Sequence, residues 1–241
     1  MHLVRFVHPT SGLPTAGKLI DSIVHAHDDS FAIEDVRLLA PCTPTKIVCV
    51  GRNYADHAKE LGNEVPEKPL LFLKPPSAVI GPGEPIILPN SETVHYEAEL
   101  AVVIGQRCKN VAAADADSII LGYTCMNDVS DRVAQGWEKN WVRAKAFDTS
   151  APLGPFILSR EDAVLPFHVT LRLNGDLRQD GSTSDLYFSI PTLIETISAI
   201  MTLEPGDVIA TGTPAGVGEL HSGDIVEVAI DGIGILRNPV Q

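Results

Sequence analysis

Positive charge is scarce in this chain: 18 Lys and Arg stand against 31 Asp and Glu among 241 residues, a formal net charge of −13. The basic residues are scattered, so the electrostatic footprint of phosphate-backbone binding is missing and a nucleic-acid ligand is excluded. Long apolar runs are also missing. None approaches the roughly 18 residues that a membrane-spanning helix needs. The opening MHLVRFVHPT has neither a charged stretch followed by an apolar one nor an Arg-rich amphipathic pattern, so the expected location is the cytoplasm. Cysteine is limited to Cys42, Cys49, Cys108 and Cys125, far apart and without a C-x-x-C pair. That spacing argues for unpaired buried thiols in a reducing compartment and against a disulfide frame or zinc knuckle. No internal repeat is visible, which sets solenoids and propellers aside.

What is present is ordinary globular material, 44% apolar and 20% charged, long enough for one large domain or a large one with an appendage. Residues 1–44 are weakly patterned, end at Pro41-Cys42-Thr43-Pro44, and read as a small N-terminal domain or arm. Over residues 45–241, short β-branched runs alternate with Gly and Pro turn signals, as in a sheet-rich domain without a linker. Two helices stand out. One starts at Asn53 as N-cap and stops at Gly62, about two turns on. The other opens at Ser189-Ile190-Pro191, places Leu193, Ile194, Ile197, Ile200 and Met201 on one face, and closes at Glu204-Pro205-Gly206-Asp207. Hairpins are expected where Val169–Leu173 runs into Asn174-Gly175, and where Ile225–Ile230 meets Asp231-Gly232 ahead of Ile233–Leu236.

The stretch from His95 to Ile104 has strand composition yet carries two acids inside an apolar run. On a strand Glu97 and Glu99 share a face about 6.6–7 Å apart at Cα, so both carboxylates can converge on one cation. The alternative is an edge strand whose polar face meets solvent. Asp128, ending the apolar stretch from Gly122, is a third acid that would be costly to bury alone. Together these three form a hard oxygen set suited to Mg²⁺ or Mn²⁺. His25 and His27, beside Asp28 and Asp29, form a weaker metal-binding pattern. His57 and Glu60, at i and i+3, are neighbours on the first helix: either a general base oriented by a carboxylate or a solvated face. Gly51 and Gly62 flank that helix and would let it move as a lid. Lys145 could stabilise developing negative charge or lie along the surface. The loop Thr211–Gly218 matches no nucleotide-binding pattern; its N–H groups either cradle a carboxylate or form a plain turn.

Seven ordered motifs, VGRNYADHAKELG, FLKPPSAVIGPG, YEAELAVVIG, GYTCMNDVSDR, AKAFDTSAPLGP, LRLNGDLRQDG and TGTPAGVG, resemble the fumarylacetoacetate hydrolase family over roughly residues 45–238. The resemblance implies a mainly β fold with short helices (α+β), a mixed β-sandwich roll, dimerised as a homodimer and holding one Mg²⁺ or Mn²⁺. It implies Glu97, Glu99 and Asp128 as metal ligands, His57 and Glu60 as the catalytic dyad, and Lys145 as the stabiliser of an oxyanion. Arg52, Lys74 and Thr213 fall to substrate binding. One departure concerns the segment after the metal Asp. The family often reads Asp-x-Ser-Ala-Arg-Asp, whereas here Asp131, Arg132 and Val133 follow Ser130, which leaves the contacts around Arg132 open.

The implied substrate is a small 2-oxo carboxylate. An acylpyruvate such as fumarylpyruvate or acetylpyruvate would be cleaved at a C–C bond by water that His57 activates, or oxaloacetate would be decarboxylated through the same enolate. That hydrolase or decarboxylase reading leads. An isomerase or tautomerase acting on 2-hydroxyhepta-2,4-diene-1,7-dioate or oxaloacetate is the alternative, and a non-catalytic metal- or carboxylate-binding module a further one.

Overall fold

Strand-forming residues recur in short runs along the chain, and the computed structural model, which describes residues 1–241, folds them into three sheets with four short α-helices. In chain order the first strands are β1 (His2–Val7), β2 (Pro14–Ile20), β3 (Ile23–Ala26), β4 (Asp29–Ala32) and β5 (Arg37–Leu38). Then come β6 (Ile47–Gly51), α1 (Ala55–Glu60), β7 (Leu70–Lys74), β8 (Val79–Ile80), β9 (Val94–Tyr96), β10 (Ala98–Ile104), β11 (Ile120–Asn127) and β12 (Ser130–Asp131). Helices α2 (Arg132–Trp137) and α3 (Val142–Lys145) precede β13 (Ala151–Ser159), β14 (His168–Leu173) and β15 (Asp176–Ser182). The chain ends with α4 (Ile190–Ile200), β16 (Val208–Ala210), β17 (Gly218–Glu219), β18 (Ile225–Ile230) and β19 (Gly234–Pro239).

The largest sheet has 12 strands and runs β4-β3-β2-β1-β13-β11-β10-β16-β6-β7, with β5 on β1 and β8 on β13. Residues 1–44 extend it at one edge, where His2 and Leu3 pair with Leu158 and Ile157. Val4, Phe6, Val24 and Ala26 give that extension a small core of its own. A four-stranded sheet, β15-β14-β18-β19, and a three-stranded one, β12-β9-β17, complete the architecture.

Strand β10 lies between β11 and β16 and is buried over its whole length, so it is not an edge strand with a polar face. Its side chains alternate between two cores, as a period of two requires. Leu100, Val102 and Ile104 join a cluster of 32 buried residues that includes Val169 and Leu171 of β14, Val226 and Val228 of β18, and Leu193, Ile194 and Ile197 of α4. Ala101 and Val103 join Ile47, Cys49, Met126 and Leu153 on the opposite face. Each fully buried Leu, Ile or Val here contributes about 1.5–3 kcal/mol.

Several elements differ from the sequence reading. The first helix begins at Ala55 after Tyr54, with no side-chain cap. Asn53 is instead buried, its amide donating to the carbonyls of Phe188 (3.1 Å) and Thr211 (2.8 Å) and accepting from Phe188 N–H (2.7 Å). Ser189 caps α4 as expected, but that helix stops at Ile200, which is 61% exposed and off the core face. The Asn174-Gly175 turn has both residues at positive φ, 55° and 88°, the form that matches strand twist. Ile233 belongs to the turn between β18 and β19, not to the strand, and is buried in the main core. His27 sits at φ 51° in the turn after β3, so His25 and His27 do not alternate along one strand. All four cysteines are free thiols.

Candidate active site

The strand expected across His95–Ile104 is broken at one residue. Tyr96 ends β9 in the three-stranded sheet, Ala98 starts β10 in the large one, and Glu97 sits at the seam between them. Glu99 then points to the face of Ala101 and Val103. Asp128 follows the last residue of β11, whose ladder with β10 pairs Asn127 with Ala98. Two hydrogen bonds hold the segments side by side: Asp128 N–H donates to the Glu97 carbonyl at 2.9 Å, and Glu97 N–H to Asn127 Oδ1 at 2.9 Å. The result brings one carboxylate oxygen each from Glu97, Glu99 and Asp128 within 4.8 Å of one another, all buried.

Three cations answer these acids, each from a different element. Lys145, at the end of α3, places Nζ 2.8 Å from Glu97 Oε2 and 2.7 Å from Asp128 Oδ2, over the Phe72 ring. Burial works against its charge, but Asp128 and Glu97 outweigh burial and raise its pKa, so it stays an ammonium donor. Arg132 places Nη2 2.6 Å from Glu97 Oε1 while Nη1 donates to Gln135 Oε1 at 2.8 Å. Burial raises the Glu97 pKa, but Lys145, Arg132 and His57 together hold it well below the carboxylate range. The question left by the altered segment is answered by Asp131. Its carboxylate accepts from Ala134 N–H at 3.0 Å and from Ser91 Oγ at 2.7 Å, capping α2 and delivering Arg132 to Glu97.

Lys74, expected to bind substrate, does not line the cavity and instead ties together the backbone around it. It is 1% exposed, beneath Asp128, with Nζ 2.8 Å from Asp128 Oδ1. The carbonyls of Lys145 (2.6 Å), Ser150 (2.8 Å) and Val129 (3.1 Å) absorb its remaining donors. An ammonium surrounded in this way has nothing left for a substrate.

Glu99 is the least satisfied of the acids. Its carboxylate accepts one backbone bond, from Gly212 N–H at 2.8 Å, and burial with neighbouring Asp128 and Glu97 pushes its pKa well up. A group of three buried hard oxygens, one without a cationic partner, fits a divalent ion bound by oxygen ligands.

The acids floor a cavity of about 350 Å³ whose walls include Arg52, His57, Phe72, Trp141 and Thr213. His57 is buried, not solvated, with Nδ1 3.2 Å from Glu60 Oε2. That contact assigns the ring proton to Nδ1 and leaves Nε2 as the basic nitrogen. Glu60 also accepts from Gly216 N–H at 3.0 Å, fastening α1 to the 211–218 loop. A side chain at Gly216 (φ 100°) would place Cβ 2.1 Å from the Arg178 carbonyl. The loop's Gly212 and Gly216 N–H groups therefore bind Glu99 and Glu60 of the protein; the cradle for a substrate carboxylate is not built from them.

Arg52, with φ 58°, faces the cavity with no ion pair to the protein, as a ligand-binding cation would. Arg132, Gln135 and Gln179 are site residues that the sequence reading did not assign. An acid directly after Ser130, able to cap a helix that starts on Arg132, was the available signal for the first of these. Nothing local marked Gln179.

Comparison with known proteins extends this geometry. The family described as fumarylacetoacetate (FAA) hydrolase C-terminal matches residues 46–241. The oxaloacetate tautomerase YisK of Bacillus subtilis is 44% identical over 226 residues, covering 87% of this chain and 75% of that protein. The structure of 5-carboxymethyl-2-hydroxymuconate delta-isomerase from Mycobacterium smegmatis superposes with a TM-score of 0.91 at 45% identity, covering 100% of this chain and 98% of that one. Maleylpyruvate hydrolase from Sphingobium, solved with manganese(II) and pyruvate, superposes with a TM-score of 0.83 at 34% identity, covering 100% and 98%. This chain belongs to the fumarylacetoacetate hydrolase family, whose mainly β fold it has, and it is an enzyme.

Proposed function

We propose that this fumarylacetoacetate hydrolase family enzyme interconverts the keto and enol forms of a small 2-oxo dicarboxylate of the oxaloacetate type, with a divalent ion on Glu97, Glu99 and Asp128. The observation that carries the reading is the placement of His57, with its free Nε2, and the Lys145 ammonium on one cavity floored by three carboxylates. An ion held there supplies Lewis-acid polarisation of a carbonyl. Magnesium or manganese suits this donor set.

The protein's own residues account for the proton transfer. His57 Nε2 takes the proton from the carbon beside the ketone, with Glu60 at Nδ1 holding the ring and steadying the imidazolium. The Lys145 ammonium donates toward the oxygen on which negative charge develops, and the imidazolium returns its proton to that oxygen. Arg52 and Thr213 contribute a positive charge and a hydroxyl for the substrate carboxylates. Three relatives at 41–44% identity that are named oxaloacetate tautomerase support this reaction over cleavage.

A second reading, hydrolysis of an acylpyruvate, is favoured by the same dyad, since a buried His with a carboxylate partner can also activate water. A paired assay separates them. The Mg²⁺-loaded protein is given enol oxaloacetate and, separately, acetylpyruvate, with enol absorbance and released pyruvate both recorded. Loss of enol without pyruvate is the expected result. Pyruvate from acetylpyruvate would transfer the assignment to hydrolysis, and no change with either substrate would end both readings.

A further inference from the structure

Gln179 lies on β15, in the four-stranded sheet, between exposed Arg178 and Asp180, yet it is 0% exposed itself. Its amide reaches the active site. Oε1 accepts from the backbone N–H of Ala98 at 2.9 Å, and Nε2 donates to the Pro214 carbonyl and to Thr213 Oγ1, each at 2.8 Å. The backbone partners settle the orientation, because an amide N–H only donates and a carbonyl only accepts. The bond to Thr213 therefore runs one way, from the Gln179 N–H to the hydroxyl oxygen. This is the hydrogen bond that Thr213 makes with the protein, and its own hydroxyl hydrogen is left for the cavity that Thr213 lines.

We propose that Gln179 is a specificity-determining positioning residue: by holding Thr213 Oγ1 as an acceptor, it commits the hydroxyl to donate into the cavity and selects a ligand with an anionic oxygen there. The inference rests on the reading of the cavity as a site for 2-oxo carboxylates. The same amide grips Ala98, between Glu97 and Glu99, so a single side chain sets the loop bearing Thr213 against the strand bearing the acids. A charged acceptor reached by a neutral donor is bound about twice as strongly as a neutral one, which makes the direction of this hydroxyl selective.

The test reverses that direction without changing shape. In Gln179→Glu, an ionised carboxylate still accepts from Ala98 N–H but also accepts from the Thr213 hydroxyl, turning its hydrogen away from the cavity. Calorimetry at pH 8 titrates first Mn²⁺ and then oxalate, a dianion with two adjacent carboxylates, into the full-length wild type and the variant. The expected outcome is an oxalate Kd raised about tenfold, or ~1.4 kcal/mol, while Mn²⁺ affinity stays within about twofold. In a Thr213→Val background the Gln179→Glu change should add no further loss of oxalate binding, since both act on one hydrogen bond. Equal oxalate binding by wild type and Gln179→Glu overturns the inference alone. A parallel loss of Mn²⁺ affinity also overturns it, by reducing Gln179 to support for the acidic strand. Absence of oxalate binding to the Mn²⁺-loaded wild type overturns the site reading and the inference with it. Should Gln179→Glu not fold, Thr213→Val against Thr213→Ser carries the test: valine must lose oxalate affinity and serine restore it, and equal affinities overturn the inference.

Discussion

The two ends of the three-residue strand β16 each meet a buried carboxylate, and the two are handled in opposite ways. Just before the strand, Asp207 accepts from the N–H groups of Thr45 (2.9 Å), Lys46 (3.2 Å) and Glu204 (2.8 Å), from Thr45 Oγ1 (2.7 Å), and from the Lys46 ammonium. Just after it, Gly212 gives Glu99 a single N–H, and two further carboxylates stand within reach. Burial raises the pKa of both. At Asp207 the Glu204 N–H, the Lys46 ammonium and the Thr45 hydroxyl reverse that effect and the pKa falls; at Glu99 the neighbouring acids add to it. A buried acid with a full shell of protein donors fastens the fold. One with an unfilled shell marks the place where something else must bind.

The sharpest way to break this contrast is Glu99→Gln. It should lower turnover by about 10³-fold, roughly 4 kcal/mol of transition-state stabilisation, and at the same time stabilise the metal-free protein at neutral pH. The sign follows from linkage: the folded pKa of Glu99 lies above its unfolded value, so the metal-free fold loses stability as pH rises through the window between them. Urea unfolding in a chelator from pH 5 to pH 8 reads this directly, and a variant less stable than wild type at pH 8 would show that Glu99 is a fastening too. Asp207→Ala is the mirror experiment. It should cost about 3–5 kcal/mol of stability, leaving bare donors and an unpaired lysine, with turnover within about twofold. Because the folded pKa of Asp207 is depressed, its contribution is present above its unfolded pKa and fades as pH falls through the folded one, so the difference from wild type should shrink in acid.

Lys74→Met tests the role of the ammonium buried against Asp128. A structural ammonium predicts a loss of about 3–5 kcal/mol in chemical unfolding, whereas a substrate-binding one predicts a raised KM in a protein of normal stability. The smallest effect is expected from Glu60→Gln, which keeps the shape but weakens the bonds to His57 and Gly216. Turnover should fall about tenfold, roughly 1.4 kcal/mol, with the melting temperature shifted by no more than about 4 °C.

Features encoded over a few residues were legible in the sequence. The Asn174-Gly175 turn and the Ser189 cap of α4 are local, and acids inside apolar runs single out Glu97, Glu99 and Asp128 because a buried charge needs a reason. What stayed hidden depends on distant partners. Asn53 has the composition of a cap, but residues 135 and 158 positions away claim its amide. Lys74 is the same residue type as Lys145 and differs in its surroundings, one Asp128 oxygen and three backbone carbonyls in place of two carboxylates. Gln179 sits among exposed neighbours, and its burial follows from the sheet facing it, which local periodicity does not encode.

The seam at Glu97 carries a consequence for chain length. A single residue spans the passage from β9 to β10, and beyond it the odd positions put Glu99 among the acids and Ala101 and Val103 in the smaller core, while each even one enters the 32-residue core. Inserting or deleting one residue there would send Glu99 into hydrocarbon and turn Leu100 toward the cavity, exchanging every later side chain of the strand with its neighbour. The enzyme therefore tolerates changes of spelling around this point far better than changes of spacing, and the count of residues between Tyr96 and Ala98 is as much a part of its chemistry as the charge that fills it.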